Sequence, residues 1–211
     1  MNHQLNQWTA EFGKKYTDRN NYTIEESDKS GIQKHGITRS ELNFLFLDKL
    51  DRSIKILEVG CNIGNQLLRL QNMGFNDLYG IEPQEYAINL AKKRTSNIVI
   101  KKGNIYNIPF EDSYFDLVFT SGVLIHIPPE NIVGAIKEIY RCSKNFILTA
   151  EYFSEEFTEV NYRGNEKLLW KGNYPKLFKK TFPDLRFLKI IYISELEDLS
   201  KKSVFFLSKK T

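Results

Sequence analysis

Cysteine is scarce in this 211-residue chain: Cys61 and Cys142 stand alone, in no CxxC pair and beside no histidine-rich cluster. That offers neither a disulfide framework nor a metal site, and it is the cysteine usage of a reducing compartment. Long hydrophobic runs are missing too. No stretch approaches the roughly eighteen apolar residues of a membrane-spanning helix. The first residues, MNHQLNQWTAEFGKKY, lack the apolar centre of a secretory signal. The expectation is a cytoplasmic protein with no membrane partner. Repeats and low-complexity segments are absent as well. The net charge is only +4, and the lysines fall in scattered pairs such as Lys92-Lys93 and Lys179-Lys180. Such pairs are solvated helix ends, so nucleic acid is not the expected partner.

What is present is an ordinary globular composition, 41% hydrophobic and 27% charged. A chain this long buries enough surface to fold as one domain without staples. Short β-branched runs alternate with amphipathic stretches, the pattern of a parallel sheet with crossover helices. Strands are predicted at 53–59, 78–82, 98–101, 115–120 and 145–150, and helices at 65–73, 83–94, 130–142 and 174–182. Two late strands, 185–193 and 203–207, should pair antiparallel at the sheet edge. A helical cap occupies 1–50, with helices at 4–16 and 39–50 and a polar gap between them. The sheet-bearing part runs over 51–211, and an insert at 151–172 breaks the period on the substrate side. The fold class is α/β and Rossmann-like, with a mostly parallel seven-stranded sheet.

In such a sheet the ligand binds outside the carboxyl ends of the strands. The loop after the first strand reads Glu58-Val59-Gly60-Cys61-Asn62-Ile63-Gly64. Gly60 permits a tight turn, and Gly64 lets the next helix start close to the sheet. Glu82 ends the second strand twenty-two residues after Gly60, about the spacing at which an acid takes the hydroxyl pair of a ribose. Pyrophosphate fits this loop poorly, because Glu58 would repel it and the phosphate cradle wants glycine at Asn62. S-adenosyl-L-methionine has no phosphate; it carries an ammonium and a cationic sulfur, to which Glu58 is neutral or helpful. The competing reading is that Glu58 caps the loop and Glu82-Pro83 merely starts a helix.

In order along the chain, ILEVGCNIGNQ, LYGIEPQEYAINLAKK, GNIYNIPFEDSYFDLVF and TSGVLIHIPPE resemble the motifs of class I S-adenosylmethionine-dependent methyltransferases. More narrowly, EFGKKYTDRN, GVLIHIPP, EIYRCSKNFIL, AEYF and NYRGNEKLLWK resemble the pseudaminic acid biosynthesis-associated methyltransferases. The resemblance implies methyl transfer to a small acceptor, a nonulosonic acid or nucleotide sugar of surface-glycan synthesis. Two positions depart from the pattern. Asn104 stands where many class I enzymes have aspartate, and its carbonyl can still accept from an adenine amino group. Asn165 stands where histidine often follows NYRG.

On this reading Asn104 and the Ile105 backbone flank the adenine, and Ser121, after the fourth strand, lies near the sulfonium. Tyr16 and Arg19 in the leading helices close over the cofactor, with the Tyr16 ring toward the sulfonium. His126 is the candidate base should an acceptor hydroxyl or ammonium need to lose a proton; a packed histidine is the alternative. Glu151 ends the fifth strand on the acceptor side. Tyr162 and Arg163 lie in the insert, where Arg163 suits a carboxylate or phosphate, or else pairs with Glu155, Glu156 or Glu159. No metal ligand is proposed. The rival functions are RNA or protein methylation, and non-catalytic nucleoside binding.

Overall fold

A computed structural model describes residues 3–211 and divides them into two compact units, residues up to Asn104 and Ile105–Thr211. The first unit opens on four helices: α1 (His3–Thr9), α2 (Glu11–Arg19), α3 (Ile24–His35) and α4 (Arg39–Leu47). The expected polar gap is α3. None of its residues is buried, so no hydrophobic stripe marks it. Its ends are fixed by side chains instead. Thr23 accepts from the Glu26 backbone N–H while the Glu26 carboxylate accepts from the Thr23 N–H, and Thr38 with Glu41 repeats this box at α4. The buried Arg69 guanidinium ties the pair together, donating to Asp28 at 2.7 Å and to Ser40 at 2.6 Å.

A βαβαβ unit follows: β1 (Lys55–Val59), α5 (Asn65–Asn72), β2 (Asp77–Glu82), α6 (Glu85–Arg94) and β3 (Ile98–Lys102). Its strands are parallel, with Ile56 beside Leu78 and Leu78 beside Ile98. Ile56, Leu57, Val59, Leu78 and Ile81 are buried, the continuous apolar run of strands covered on both faces.

The second unit carries β4 (Phe115–Ser121), a single 3-10 turn (Leu124–His126), α7 (Pro129–Cys142) and β5 (Ser143–Phe153). Next come β6 (Thr158–Glu159), β7 (Trp170–Lys171), α8 (Tyr174–Thr181), β8 (Arg186–Ser194) and β9 (Lys202–Lys209). Helix α7 buries Ile132, Ala135, Ile136, Ile139 and Cys142, a stripe at helical spacing; each buried isoleucine contributes about 1.5–3 kcal/mol. Strand β5 is parallel to β4, whereas β9 is antiparallel to both β5 and β8. The seven-stranded order is β3-β2-β1-β4-β5-β9-β8. The insert is not structureless, since β5 runs into it as far as Phe153 and β6 pairs with β7. Among the described residues no helix is long and apolar enough to cross a membrane.

Candidate active site

In the first unit the loop between β1 and α5 is a chain of left-handed residues: Gly60 at φ 74°, Asn62 at φ 46° and Gly64 at φ 81°. The loop lies so close to the sheet that a Cβ on Gly80 would meet Cys61 Sγ at 2.7 Å and Leu67 Cδ1 at 2.8 Å. Only glycine at the centre of β2 allows this approach.

Two carboxylates sit behind the loop. Glu82 is buried, and its oxygens accept the backbone N–H groups of Asn62 and Gln84, each at 3.0 Å. Burial nevertheless lifts its pKa to about 7. Glu58 is 2% exposed, and its Oε2 has no hydrogen-bond partner among the described residues. Burial pushes the Glu58 carboxyl well above the ordinary range and the neighbouring Glu82 adds to that, while Arg39 and the Leu67 backbone N–H act the other way. A buried acceptor without a donor is costly to hold and calls for a cation or a donor. Those residues fit the ammonium of an amino acid group, not a phosphate.

Asn62 points its amide into the leading helices, where Nδ2 donates to Thr17 Oγ1 at 2.9 Å. Tyr16, one residue earlier, is half-buried with its ring edge-on to Trp8, and Arg19 is exposed at the end of α2. Asn104 is half-buried after Gly103, whose N–H donates to the Glu82 carbonyl.

In the second unit Ile105 is 5% exposed and Ser121, half-buried, ends β4 beside Ala150. His126 closes the 3-10 turn. It is buried, its Nδ1 lies 2.7 Å from the Leu168 carbonyl, and burial lowers its pKa to about 4. Its ring is 5.5 Å from that of Tyr162. Glu151 is buried and turned back on the loop after β4: it accepts from Thr120 Oγ1 at 2.9 Å and from the Val123 and Ile125 N–H groups at 3.3 Å. Burial raises its pKa to about 7.

Tyr162 and Asn165 exchange both backbone hydrogen bonds, at 2.8 and 3.0 Å, around Arg163 and Gly164. Both central residues have positive φ, 54° and 78°. Arg163 is exposed and makes no ion pair among the described residues, its guanidinium lying 6.0 Å from the Tyr162 ring centroid. Nearby elements enclose a groove of about 400 Å³ lined by Phe153, Val160, Leu199, Lys171 and Lys202, among others. Sequence reasoning missed Thr17, Gln84, Gly80 and the Leu168 carbonyl, each of which acts through a partner distant in the chain. Among the described residues no cluster of His, Cys, Asp or Glu could hold a metal ion.

Residues 57–145 match the methyltransferase domain family. An uncharacterized methyltransferase of Staphylococcus carnosus is 28% identical over 151 residues, 69% of this chain and 67% of the relative. Further curated relatives, 29–35% identical, are spanned for only 25–38% of their own length. Among solved structures, the magnesium protoporphyrin IX methyltransferase of Synechocystis, with bound S-adenosylmethionine, aligns at a TM-score of 0.72 and 11% identity, covering 100% of this chain and 99% of that one. The 1,6-didemethyltoxoflavin N1-methyltransferase of Burkholderia thailandensis aligns at 0.70 and 12%, covering 95% of this chain and 85% of that one. The fold is that of the class I methyltransferases. The match over residues 57–145 and the shared fold support an enzyme that uses S-adenosylmethionine.

Proposed function

We propose that this chain transfers a methyl group from S-adenosylmethionine to a small, polar, anionic acceptor, a nonulosonic acid or its nucleotide-activated form. The observation that carries the reading is Glu58 Oε2, a buried carboxylate oxygen with no hydrogen-bond partner among the described residues, behind a left-handed glycine loop. It asks for a cation where a dinucleotide enzyme presents only donors to phosphate. Glu58 takes the cofactor's ammonium, Glu82 its ribose hydroxyls, and Asn104 with the Ile105 backbone its adenine. Bound there, the cofactor supplies a sulfonium-activated methyl group.

The second unit supplies the acceptor residues. Leu168 offers only a carbonyl, so His126 Nδ1 carries the proton and Nε2 the lone pair. With a pKa of about 4, His126 orients an acceptor hydroxyl by accepting its hydrogen bond rather than storing a proton. Glu151 is a positioning residue that fixes residues 121–126, the loop bearing His126. Arg163 is the anion-binding cation. An arginine at φ 54° costs about 1 kcal/mol over glycine or asparagine, and strain of this kind accompanies binding loops. Lys171 and Lys202, neither ion-paired among the described residues, outnumber Glu155 in the lining of the groove.

Mass spectrometry after incubation with S-adenosylmethionine and nonulosonic acids, free and nucleotide-activated, tests the reading. A product heavier by one methyl group, absent with Glu82→Ala, is the expected result. Cofactor binding without a methylated sugar in any pool would overturn the acceptor class. An electrophoretic shift with bulk tRNA would then be the next measurement.

A further inference from the structure

A continuous hydrogen-bond chain joins the cofactor loop to the first two helices. Asn62 Nδ2 donates to Thr17 Oγ1 at 2.9 Å, and that hydroxyl donates to Gln84 Oε1 at 3.1 Å. Gln84 Nε2 then donates to the carbonyls of Trp8 at 3.0 Å and Ala10 at 3.2 Å. Thr17 is fully buried and Gln84 is 4% exposed. The direction is fixed, because the Trp8 and Ala10 carbonyls can only accept from Gln84 and the Ile63 N–H can only donate to Asn62 Oδ1. The fit is close: a Cβ on Gly13 would lie 1.9 Å from the Trp8 carbonyl oxygen and 2.6 Å from Gln84 Nε2.

The two side-chain amides of this chain belong to the two residues whose backbone N–H groups grip Glu82. Asn62 N–H binds Oε2 and Gln84 N–H binds Oε1. Each residue therefore uses its backbone on the carboxylate and its side chain on the leading helices. Moving the Glu82 carboxylate moves both amides, and both amides pull on Thr17. Asn62 meets both demands in a left-handed conformation, its own Oδ1 accepting from the Ile63 N–H at 2.9 Å.

We infer that Thr17 and Gln84 are positioning residues for the cofactor, coupling the orientation of Glu82 and Asn62 to the docking of α1 and α2. The inference rests on the assignment of Glu82 to the cofactor's ribose. Thr17→Val keeps the shape but strands the Asn62 amide and the Gln84 oxygen. It should weaken S-adenosylmethionine binding about tenfold by calorimetry. Thr17→Ser should stay within about twofold of the native protein. Gln84→Glu sets a carboxylate oxygen against two carbonyls and should match Thr17→Val.

Amide hydrogen exchange supplies a second readout. In the native protein and Thr17→Ser, residues 3–19 should gain protection when S-adenosylmethionine is added, and in Thr17→Val they should not. Native affinity in both Thr17→Val and Gln84→Glu would overturn the inference alone. So would equal loss in Thr17→Val and Thr17→Ser, which would mean packing. A native protein that binds no S-adenosylmethionine would instead overturn the assignment of Glu82.

Discussion

His126 Nδ1 lies 2.7 Å from the carbonyl oxygen of Leu168, forty-two residues further along the chain. That contact places the ring proton on Nδ1, and burial holds the pKa at about 4. A solvated histidine titrates near 6.5. The kcat/KM of methyl transfer should therefore show no histidine limb between pH 8 and 5. His126→Ala should lower kcat by roughly a hundredfold. A half-loss near pH 6.5 in kcat at saturating S-adenosylmethionine, where the titration of Glu82 no longer limits binding, would assign the essential group elsewhere.

Glu82 and Glu151 both titrate at about 7 in the folded protein, against an ordinary 4.5. The folded state thus holds protons that the unfolded chain has already released. Their stabilising contribution is complete below pH 4.5 and is lost as pH rises through 7, by up to about 3 kcal/mol each. Raising the pH from about 6 to 8 should lower the urea midpoint of the free protein. Cofactor affinity should move oppositely, since an ammonium and ribose hydroxyls favour ionised carboxylates. Calorimetry in two buffers of different ionisation heat should detect proton release on binding below pH 7.

Arg163 occupies the first of two left-handed positions in the turn closed by Tyr162 and Asn165. An asparagine before Gly164 is the favoured pair for such a turn. Arg163→Asn should raise stability by about 1 kcal/mol while raising the acceptor KM at least about tenfold. A stabilised variant with unchanged KM would remove Arg163 from acceptor binding.

At Gly80 a methyl group has nowhere to go, with Cys61 Sγ at 2.7 Å and Leu67 Cδ1 at 2.8 Å. Gly80→Ala should cost about 1–3 kcal/mol in denaturant unfolding. The displaced loop should also weaken S-adenosylmethionine binding, so both measurements should change together.

The parallel strands were legible because each is a short apolar run ending at a turn residue, and the late pair because its two runs flank an acidic stretch. The turns at Gly60 and Gly64 and the place of Glu82 at the end of β2 were legible by spacing. Helix α3 was not, because capping and the Arg69–Asp28 contact hold it without an apolar stripe. A place near a strand end points Glu151 to the acceptor side; its oxygens lie on Thr120 and two backbone N–H groups, a direction that strand position does not encode. Thr17 and Gln84 meet across sixty-seven residues, and no local pattern announces such a bond.

Helix α3 contributes nothing to the interior, and its Lys29 and Lys34 are exposed. Its stability is therefore that of its capped ends and the Asp28–Arg69 contact, and it can open as a separate unit while the sheet stays closed. A protease should find it first: trypsin would nick the chain at those lysines at a rate set by this local equilibrium, well before global unfolding. The α/β body would outlast the cut, leaving a nicked molecule whose two pieces remain joined through the Asn65 and Arg94 contacts to residues 21 and 22.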